Sequence, residues 1–132
     1  MPLTLYYHPL SSFCHKVLIA LYEYDIDFQR RVIDLSSAAD RAELEALWPL
    51  CKFPVIRDHT HPQGLAESSV IIEYLDRFHG GGRCLLPGDW DTALQVRLWD
   101  RFFDQYVQVP LQQIVADRIR VIEVVSGGKA AA

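Results

Sequence analysis

Strand-like and helix-like hydrophobic patterns alternate along the first part of the chain. Residues 3–8 are rich in strand formers and stop at Pro9, which lacks the N–H that a sheet ladder needs. Ser11 or Ser12 then offers an N-cap for a helix that runs to about Tyr24. The apolar positions of this helix recur three or four residues apart, at Val17, Leu18, Leu21 and Tyr22. The chain therefore begins with a predicted strand and a predicted helix.

The same alternation continues as far as a triple-glycine segment. The further elements are a strand over 28–35, a helix over 36–47, a strand over 53–58, a turn over 59–64, a short strand near Leu65 and a helix over 67–78. Pro49 ends the second helix, and Gly80-Gly81-Gly82 breaks the third. A strand–helix–strand unit implies a parallel pair joined by a right-handed crossover. We therefore expect an α/β fold with a small mixed sheet.

The pattern changes after residue 82. Residues 83–89 read as a linker, and a helical pattern resumes from Asp91 to about Val121, with Pro110 expected to kink or split it. Its many large apolar residues need partners that the low-complexity residues 126–132 cannot supply. The predicted organisation is a domain over 1–80, a linker over 81–90 and a partial all-helical domain over 91–132.

Composition and charge argue against several classes of protein. The chain has 13 Lys and Arg against 17 Asp and Glu, a net charge of −4, without the clustered basic stripe of a nucleic-acid surface. The apolar runs are too short for a membrane span and no leader pattern is visible, so we expect a cytoplasmic protein. Cys14, Cys51 and Cys84 lack disulfide or zinc spacing, and His59 and His61 fit a solvated loop. No metal site is predicted.

Three segments together carry a resemblance to a known family. Residues 5–17, LYYHPLSSFCHKV, are similar to its first strand, active-site turn and first helix. Residues 48–56, WPLCKFPVI, are similar to its N-P-x-G-K-V-P-V-L segment, and residues 66–75, AESSVIIEYL, to its E-S-x-x-I-x-x-Y-L helix. In this order the segments resemble the soluble glutathione transferase superfamily, most closely its serine-type bacterial and zeta-like members. The resemblance implies a thioredoxin-like βαβ-ββα domain followed by a truncated all-helical segment, and it dissolves near Arg120.

The turn before the first helix suits the chemistry of a thiol. Glutathione attacks an electrophile through its thiolate, whereas a free thiol with a pKa of ~8.5 is mostly protonated at neutral pH. A helix N-terminus favours an anion through its free N–H groups and its dipole, and a hydroxyl there adds a hydrogen bond. From the residues alone, N-capping is the simpler role for both serines. The resemblance implies instead that Ser11 is catalytic, that Ser11 and Ser12 bind glutathione, and that Ser12 is the alternative partner of the thiolate.

Two further pairs of residues follow from the resemblance. In this family the peptide bond equivalent to Phe53–Pro54 is cis, and the residue before the proline pairs through its backbone with the cysteinyl part of glutathione. The residue equivalent to Glu67 takes up the α-ammonium, while the equivalent of Ser68 and the helix N–H groups hold the α-carboxylate. From spacing alone, Glu67 fits equally well as a cap or a dipole partner.

Two positions depart from the family pattern. Phe53 stands where the family usually has Val, so its ring is expected to narrow the pocket. Cys51 replaces a Gly, which alters the loop if that Gly has a positive φ. Lys52 and Arg41 are candidates for the glycyl carboxylate and equally fit solvated surface charges.

The resemblance implies a glutathione transferase that uses glutathione as co-substrate without a metal. Its expected partner is a small hydrophobic electrophile for conjugation, or a substrate for glutathione-dependent isomerisation, and a homodimer is expected, with no nucleic-acid or membrane partner. Two alternatives stay open: a thiol–disulfide oxidoreductase that uses Cys14, and a non-catalytic glutathione-binding or interaction module left by truncation. In this S-x-x-C motif Ser11 replaces the usual nucleophilic cysteine, so we expect Cys14 to be a buried packing residue.

Overall fold

The chain folds as an α/β sandwich followed by a long helical segment. The computed structural model describes the backbone of residues 2–61 and 64–131, and side chains within those ranges as far as residue 126. The elements are β1 Leu3–Tyr7, α1 Ser12–Glu23, β2 Gln29–Val32, α2 Ala38–Leu47, β3 Val55–Asp58, β4 Gly64–Ala66, α3 Ser68–His79, α4 Trp90–Phe103, a π-helix Asp104–Gln108 and α5 Val109–Ala131. Each element predicted before residue 80 is confirmed, with small shifts at its ends. The predicted turn over 59–64 lies partly outside the described residues, at positions 62 and 63.

The four strands form one mixed sheet in the order β2-β1-β3-β4. Strands β1 and β2 are parallel, with Thr4 opposite Gln29 and Tyr7 opposite Val32, and α1 connects them. Strand β3 runs antiparallel to both β1 and β4. The predicted βαβ unit and the mixed sheet are therefore confirmed.

Side chains on the two faces of the sheet enter two separate cores. Alternation along β1 sends Leu3 and Leu5 toward α1 and α3, and it sends Tyr6 toward α2. The first core includes Val17, Leu21, Ile71 and Leu75. The second core includes Ile33, Leu44 and Val55. Because both faces are covered by helices, the sheet is the middle layer of the sandwich.

The helical segment leaves most of its large apolar side chains exposed. Trp99 and Phe102 contact edge to face with ring centroids 5.5 Å apart, and Phe102 is 5.5 Å from the ring of Tyr106. The exposed set also includes Trp90, Leu98, Phe103, Ile114, Ile122 and Val124. The aromatic rings of this segment therefore contact one another, while its large apolar side chains remain exposed. Within the described residues, no helix combines the length and the apolar composition needed to cross a membrane.

The helical segment changes register just before Pro110, as predicted. A π-helix occupies Asp104–Gln108, and the N–H of Val109 donates to the carbonyl of Asp104, one residue farther than in an α-helix. Proline lacks an N–H and its ring crowds the preceding turn, so the regular ladder is broken at this point. The wider π turn joins α4 to α5 without a loop.

A partly buried charge cluster, which we call the clasp, joins the helical segment to the sandwich. It consists of Lys16, Ser69, Asp100 and Asp104. Lys16 Nζ lies 2.5 Å from Asp100 Oδ1 and 3.0 Å from Asp104 Oδ2. Ser69 Oγ accepts from Lys16 Nζ at 2.9 Å and donates to Asp100 Oδ2 at 2.5 Å. The clasp therefore fixes α1, the start of α3 and the end of α4 relative to one another.

Asp58, at the end of β3, anchors the other end of α3. Tyr74 OH donates to Asp58 Oδ2 at 2.7 Å, and His79 Nε2 lies 3.0 Å from the same oxygen. The N–H of Thr60 donates to Asp58 Oδ1 at 2.9 Å. Burial raises the pKa of this carboxyl, but the hydrogen bonds from Thr60, Tyr74 and His79 outweigh burial and hold its pKa well below the usual range.

The two loop histidines are exposed, as predicted, but their rings also make hydrogen bonds. His59 Nε2 lies 2.9 Å from Thr4 Oγ1 of β1. His61 Nδ1 lies 3.0 Å from Tyr74 OH, so it joins the group around Asp58. The loop after β3 is thereby tied to both β1 and α3.

Asp58→Asn should lower the free energy of unfolding by about 2 kcal/mol at neutral pH, because an amide replaces a buried carboxylate that accepts several hydrogen bonds. The folded-state pKa of Asp58 lies below its unfolded value. The carboxylate therefore adds stability above a pH of ~4, and this stability is lost as the pH falls through the folded-state pKa. Urea unfolding across the acid range should give a shallower loss of stability for the variant.

Asp27→Asn, at an exposed carboxylate, is the matched control and should keep the wild-type acid profile. An unchanged slope in Asp58→Asn would contradict the role assigned to this carboxylate.

Lys16→Met should lower the free energy of unfolding by about 2 to 3 kcal/mol, because it leaves two partly buried carboxylates of the clasp without their cation. Arg97→Met breaks an exposed pair, Arg97 Nε to Glu73 Oε1 at 3.0 Å, between α3 and α4, two of the helices that the clasp joins. This control should cost less than about 1 kcal/mol. Equal losses in urea denaturation of the two variants would refute a special role for the clasp.

Candidate functional site

A cavity of about 480 Å³ lies between the sandwich and the helical segment. Four of the predicted site residues line it: Phe53, Pro54, Glu67 and Ser68. The sandwich also contributes Phe13, Trp48, Lys52, Ser69 and Val70, and the helical segment contributes Arg101, Asp104, Gln105 and Val109. The start of α3 and the loop before β3 thus face the helical segment across one space.

The start of α3 has an unusual backbone. Glu67 has φ 68° and ψ 116°, a left-handed conformation that is rare for a residue with a side chain. Its carboxylate makes no capping hydrogen bond among the described residues and is exposed. Ser68 is only 6% exposed and begins the helix. The strained turn therefore presents a free carboxylate, a hydroxyl and the first N–H groups of α3 to the cavity.

The Phe53–Pro54 peptide bond is cis, so this expectation of the resemblance is confirmed. The ring of Phe53 stacks on His8 with centroids 5.9 Å apart and an interplanar angle of 18°. Among the described residues, neither the N–H nor the C=O of Phe53 has a backbone partner outside the regular elements. Both groups are therefore available as a short extension of β3 at the cavity wall.

Cys51 adopts the left-handed conformation that a glycine would favour, with φ 51°. Its N–H donates to the carbonyl of Trp48 at 2.9 Å and closes the turn before Phe53. Its Sγ lies 3.6 Å from the carbonyl oxygen of Arg41. Cys51 therefore holds a backbone conformation that a glycine adopts without strain, at a cost of roughly 1 kcal/mol.

The two predicted serines lie at the start of α1 and are not among the described lining residues of the 480 Å³ cavity, whereas Phe13 is. Ser11 is 8% exposed, and its Oγ accepts from the N–H of Cys14 at 3.3 Å, so it caps α1. The Ser11 hydroxyl also makes a hydrogen bond with the thiol of Cys14. Ser12 donates through both its N–H, at 2.5 Å, and its Oγ, at 3.0 Å, to Gln112 Oε1 of α5.

Cys14 is fully buried in the structure, which confirms the prediction of a packing residue. Burial raises the pKa of its thiol, and the hydrogen bonds with Ser11 and His8 only partly oppose this. A buried thiol that stays protonated is a poor nucleophile.

Charges of both signs meet around the cavity. Lys52 and Arg101 are exposed cations in its lining, and Glu67 and Asp104 are the acidic residues there. Asp104 is paired with Lys16 in the clasp, which leaves Glu67 as an anion without an ion-pair partner among the described residues. Arg41 does not belong to the described lining. This arrangement suits a small ligand that carries both an ammonium group and carboxylates.

Sequence reasoning missed the residues that the helical segment brings to this site. Asp100 and Asp104 lie four residues apart on one helical face between large apolar residues, a signal that indicates a common cation. The contact of Gln112 with Ser12 spans 100 positions and had no local signal. Within the described residues, no group of three or more His, Cys, Asp or Glu side chains is arranged to hold a metal ion.

The chain resembles known proteins in both sequence and fold. A family model described as glutathione S-transferase, N-terminal domain, matches residues 10–77. A maize (Zea mays) protein, glutathione transferase GST 23, is 36% identical over 63 residues, which cover 48% of this chain and 28% of that protein.

Two solved structures support the same relationship. A glutathione transferase homologue from Burkholderia with bound glutathione has a TM-score of 0.68 and 26% identity, and covers 92% of this chain and 65% of its own. The beta-etherase LigF from Sphingobium sp. strain SYK-6 has a TM-score of 0.73 and 26% identity, and covers 86% of this chain and 47% of its own. The chain thus spans less than two thirds of each of these relatives.

The family model covers more than half of the chain, and the four-stranded mixed sheet with its flanking helices is the thioredoxin-like fold of these relatives. The chain belongs to the glutathione S-transferase family.

Proposed function

We propose that this chain binds glutathione in the 480 Å³ cavity and promotes attack of its thiolate on a small hydrophobic electrophile. The observation that carries the proposal is the convergence of Phe53, Glu67 and Ser68 on one cavity. In conjugation, a bond forms between sulfur and an electrophilic carbon, the leaving group departs with its electron pair, and the thiol proton passes to water. Isomerisation through the same thiolate is the second reaction of this class.

The γ-glutamyl end of glutathione is assigned to the start of α3. Glu67 carries an exposed carboxylate without an ion-pair partner among the described residues, which suits the α-ammonium. The Ser68 hydroxyl and the first N–H groups of α3 suit the α-carboxylate. One strained turn thereby offers complementary partners to both charges of a zwitterion.

The rest of the tripeptide follows the cavity wall. The N–H and C=O of Phe53, which have no backbone partner among the described residues, suit the cysteinyl backbone, which would extend the sheet by one strand. Lys52 lines the same cavity and suits the glycyl carboxylate, whereas Arg41 is not among the described lining residues. Of the two cations considered from the sequence, we therefore assign Lys52 to this role.

The thiolate is assigned to the start of α1, with Ser11 as the catalytic residue. Phe13, in the first turn of α1, lines the cavity, and Ser11 caps the same turn with a hydroxyl that can rotate to donate to the thiolate. A hydrogen bond to an anion is worth more than one to a neutral group, so it favours the ionised thiol. Ser12 is the alternative partner, through its own hydroxyl and N–H.

The second substrate and the assembly are assigned to the helical segment. Gln105 and Val109 form the cavity wall opposite the glutathione residues, so we place the hydrophobic electrophile there. The exposed apolar residues of α4 and α5 support a homodimer. The organisation into domains over 1–80 and 91–132 with a linker over 81–90, and a cytoplasmic location, remain predictions.

A second candidate function is a non-catalytic glutathione-binding module. It is favoured by one observation: Ser11 and Ser12 lie outside the described cavity lining, and both donors of Ser12 are occupied by Gln112. The oxidoreductase alternative is disfavoured, because the Cys14 thiol is buried with a raised pKa.

Glu67→Gln should weaken glutathione binding by about 10- to 100-fold, because the α-ammonium loses a charged acceptor. Glu73→Gln, an exposed change on the same helix, should bind as the wild type does. Isothermal titration with cysteinylglycine, which lacks the γ-glutamyl group, should give equal affinities for wild type and Glu67→Gln. A loss of cysteinylglycine binding in Glu67→Gln would point to a damaged fold rather than a lost ammonium site.

Ser11→Ala should lower kcat/KM for conjugation of a chromogenic electrophile by about 10- to 100-fold, because the thiolate loses a hydroxyl donor. Ser11→Thr should restore much of the rate, since it keeps the hydroxyl. Ser37→Ala removes an equivalent N-cap, with Oγ 3.3 Å from the N–H of Asp40, and should cost a similar ~1 kcal/mol of stability without affecting turnover.

Two results separate the remaining readings of this site. Unchanged turnover in Ser11→Ala would remove Ser11 from the catalytic role. Tight glutathione binding without turnover in the wild type would favour the non-catalytic module.

A further inference from the structure

The first turn of α1 distributes its backbone N–H groups in an unusual way. The first N–H that finds an intrahelical acceptor is that of His15, which donates to Ser11 O at 3.1 Å. The N–H of Cys14 is taken by Ser11 Oγ, and the N–H of Ser12 is taken by Gln112 Oε1. Among the described residues, the N–H of Phe13 has no partner. One side chain from a distant helix therefore occupies part of the anion-favouring end of α1.

The orientation of the Gln112 amide is fixed by chemistry. A backbone N–H can only donate, so the atom that faces Ser12 N must be the carbonyl oxygen of Gln112 and not its NH2 group. The same oxygen is the acceptor for the Ser12 hydroxyl at 3.0 Å. A single polarised oxygen thus collects two donors at the start of a helix, as an anion would.

Gln112 is half-buried, whereas the neighbouring residues 111, 113 and 114 of α5 are exposed. Its contact joins α5 to α1 across 100 positions of sequence. The position of this side chain is therefore specific to the packing of the helical segment against the sandwich and is not a local feature of α5.

We infer that Gln112 competes with the glutathione thiolate for the two donors of Ser12. The inference rests on the proposed function, which puts the thiolate at the start of α1, and on the donors of Ser12 meeting that thiolate beside Ser11. Gln112 acts here as a positioning residue: its neutral oxygen satisfies the donors while the site is empty or holds the protonated thiol. The thiolate displaces it, because charge-assisted hydrogen bonds are stronger than those to a neutral carbonyl.

Competition of this kind has a distinct signature. Displacement of Gln112 reduces the apparent affinity for ionised glutathione by the fraction of protein in which the donors are free. A ligand whose sulfur cannot ionise gains nothing by displacing Gln112 and leaves it in position. Removal of the Gln112 oxygen should therefore affect glutathione and leave S-methylglutathione unaffected.

The test compares wild type, Gln112→Met and Gln112→Glu by isothermal titration, and by the ultraviolet absorbance of the bound thiolate as a function of pH. Methionine keeps the size and helix propensity of glutamine and removes the carbonyl oxygen. Gln112→Met should bind glutathione about fivefold more tightly, and the pKa of the bound thiol should fall by roughly half a unit or more. The affinity for S-methylglutathione should stay within about twofold of wild type.

Gln112→Glu gives the opposite change with nearly the same shape. Its carboxylate binds the Ser12 donors more strongly and repels a second anion, so the pKa of the bound thiol should rise and glutathione should bind more weakly. Without ligand, Gln112→Met should melt below wild type, because the Ser12 donors lose their protein acceptor.

Three outcomes overturn the inference. Equal tightening of glutathione and S-methylglutathione in Gln112→Met would make Gln112 a steric obstacle rather than a hydrogen-bond competitor. Weaker glutathione binding or a raised thiol pKa in Gln112→Met would mean that Gln112 stabilises the bound thiolate instead of competing with it, with the proposed function intact. If no variant binds either ligand, the proposed function fails as well, a pattern distinct from the other two.

Discussion

The position of α3 is the constraint on which the site depends. The helix carries Glu67 and Ser68 at its start, and it is held at both ends by carboxylates that belong to other elements. Asp58 of β3 accepts from Tyr74 and His79 near its end, and the clasp holds Ser69 near its start. Ile71 and Leu75 fill the core between these anchors. A polar link at each end fixes the rotation of the helix about its axis and its position along the sheet. Apolar burial alone is not directional and specifies these loosely.

The hydrophobic patterns predicted the helices and strands, and the resemblance to the family predicted features, such as the cis peptide bond, that no such pattern indicates. The strand formers in residues 3–8 were enough to predict the first strand, and it is confirmed. Strand β2 is shorter than predicted: residues 29–32 pair with β1, and the N–H of the buried Ile33 adds one hydrogen bond to the carbonyl of Tyr7 beyond them. The cis bond at Pro54 followed from family likeness alone, since most X–Pro bonds are trans.

The unpredicted parts of the site share one physical cause. The clasp and the Gln112 contact depend on where α4 and α5 lie against α1 and α3, and this placement joins residues far apart in sequence. Ser69 and Lys16 each look like ordinary polar residues of a first helical turn or an exposed helix face. Only the packing of the helical segment makes them partners of Asp100 and Asp104. Local periodicity contains no information about such pairs.

The two helix starts at the site are prepared differently, and this difference fits the two kinds of anion that the proposed function requires. At α3 the side chain of Glu67 does not cap the first N–H groups, so among the described residues these donors remain open to the permanent carboxylate of the proposed ligand. At α1 the donors are shared between Ser11 Oγ and Gln112 Oε1, and a thiol becomes an anion only on deprotonation. Without ligand, these neutral acceptors satisfy the donors of the helix end. When the thiolate forms, it can replace them at little cost in free energy, because its hydrogen bonds are charge-assisted. A permanently empty N-terminus would also bind inorganic anions. Under the competition inferred for Gln112, partial occupancy at α1 favours a sulfur that can ionise.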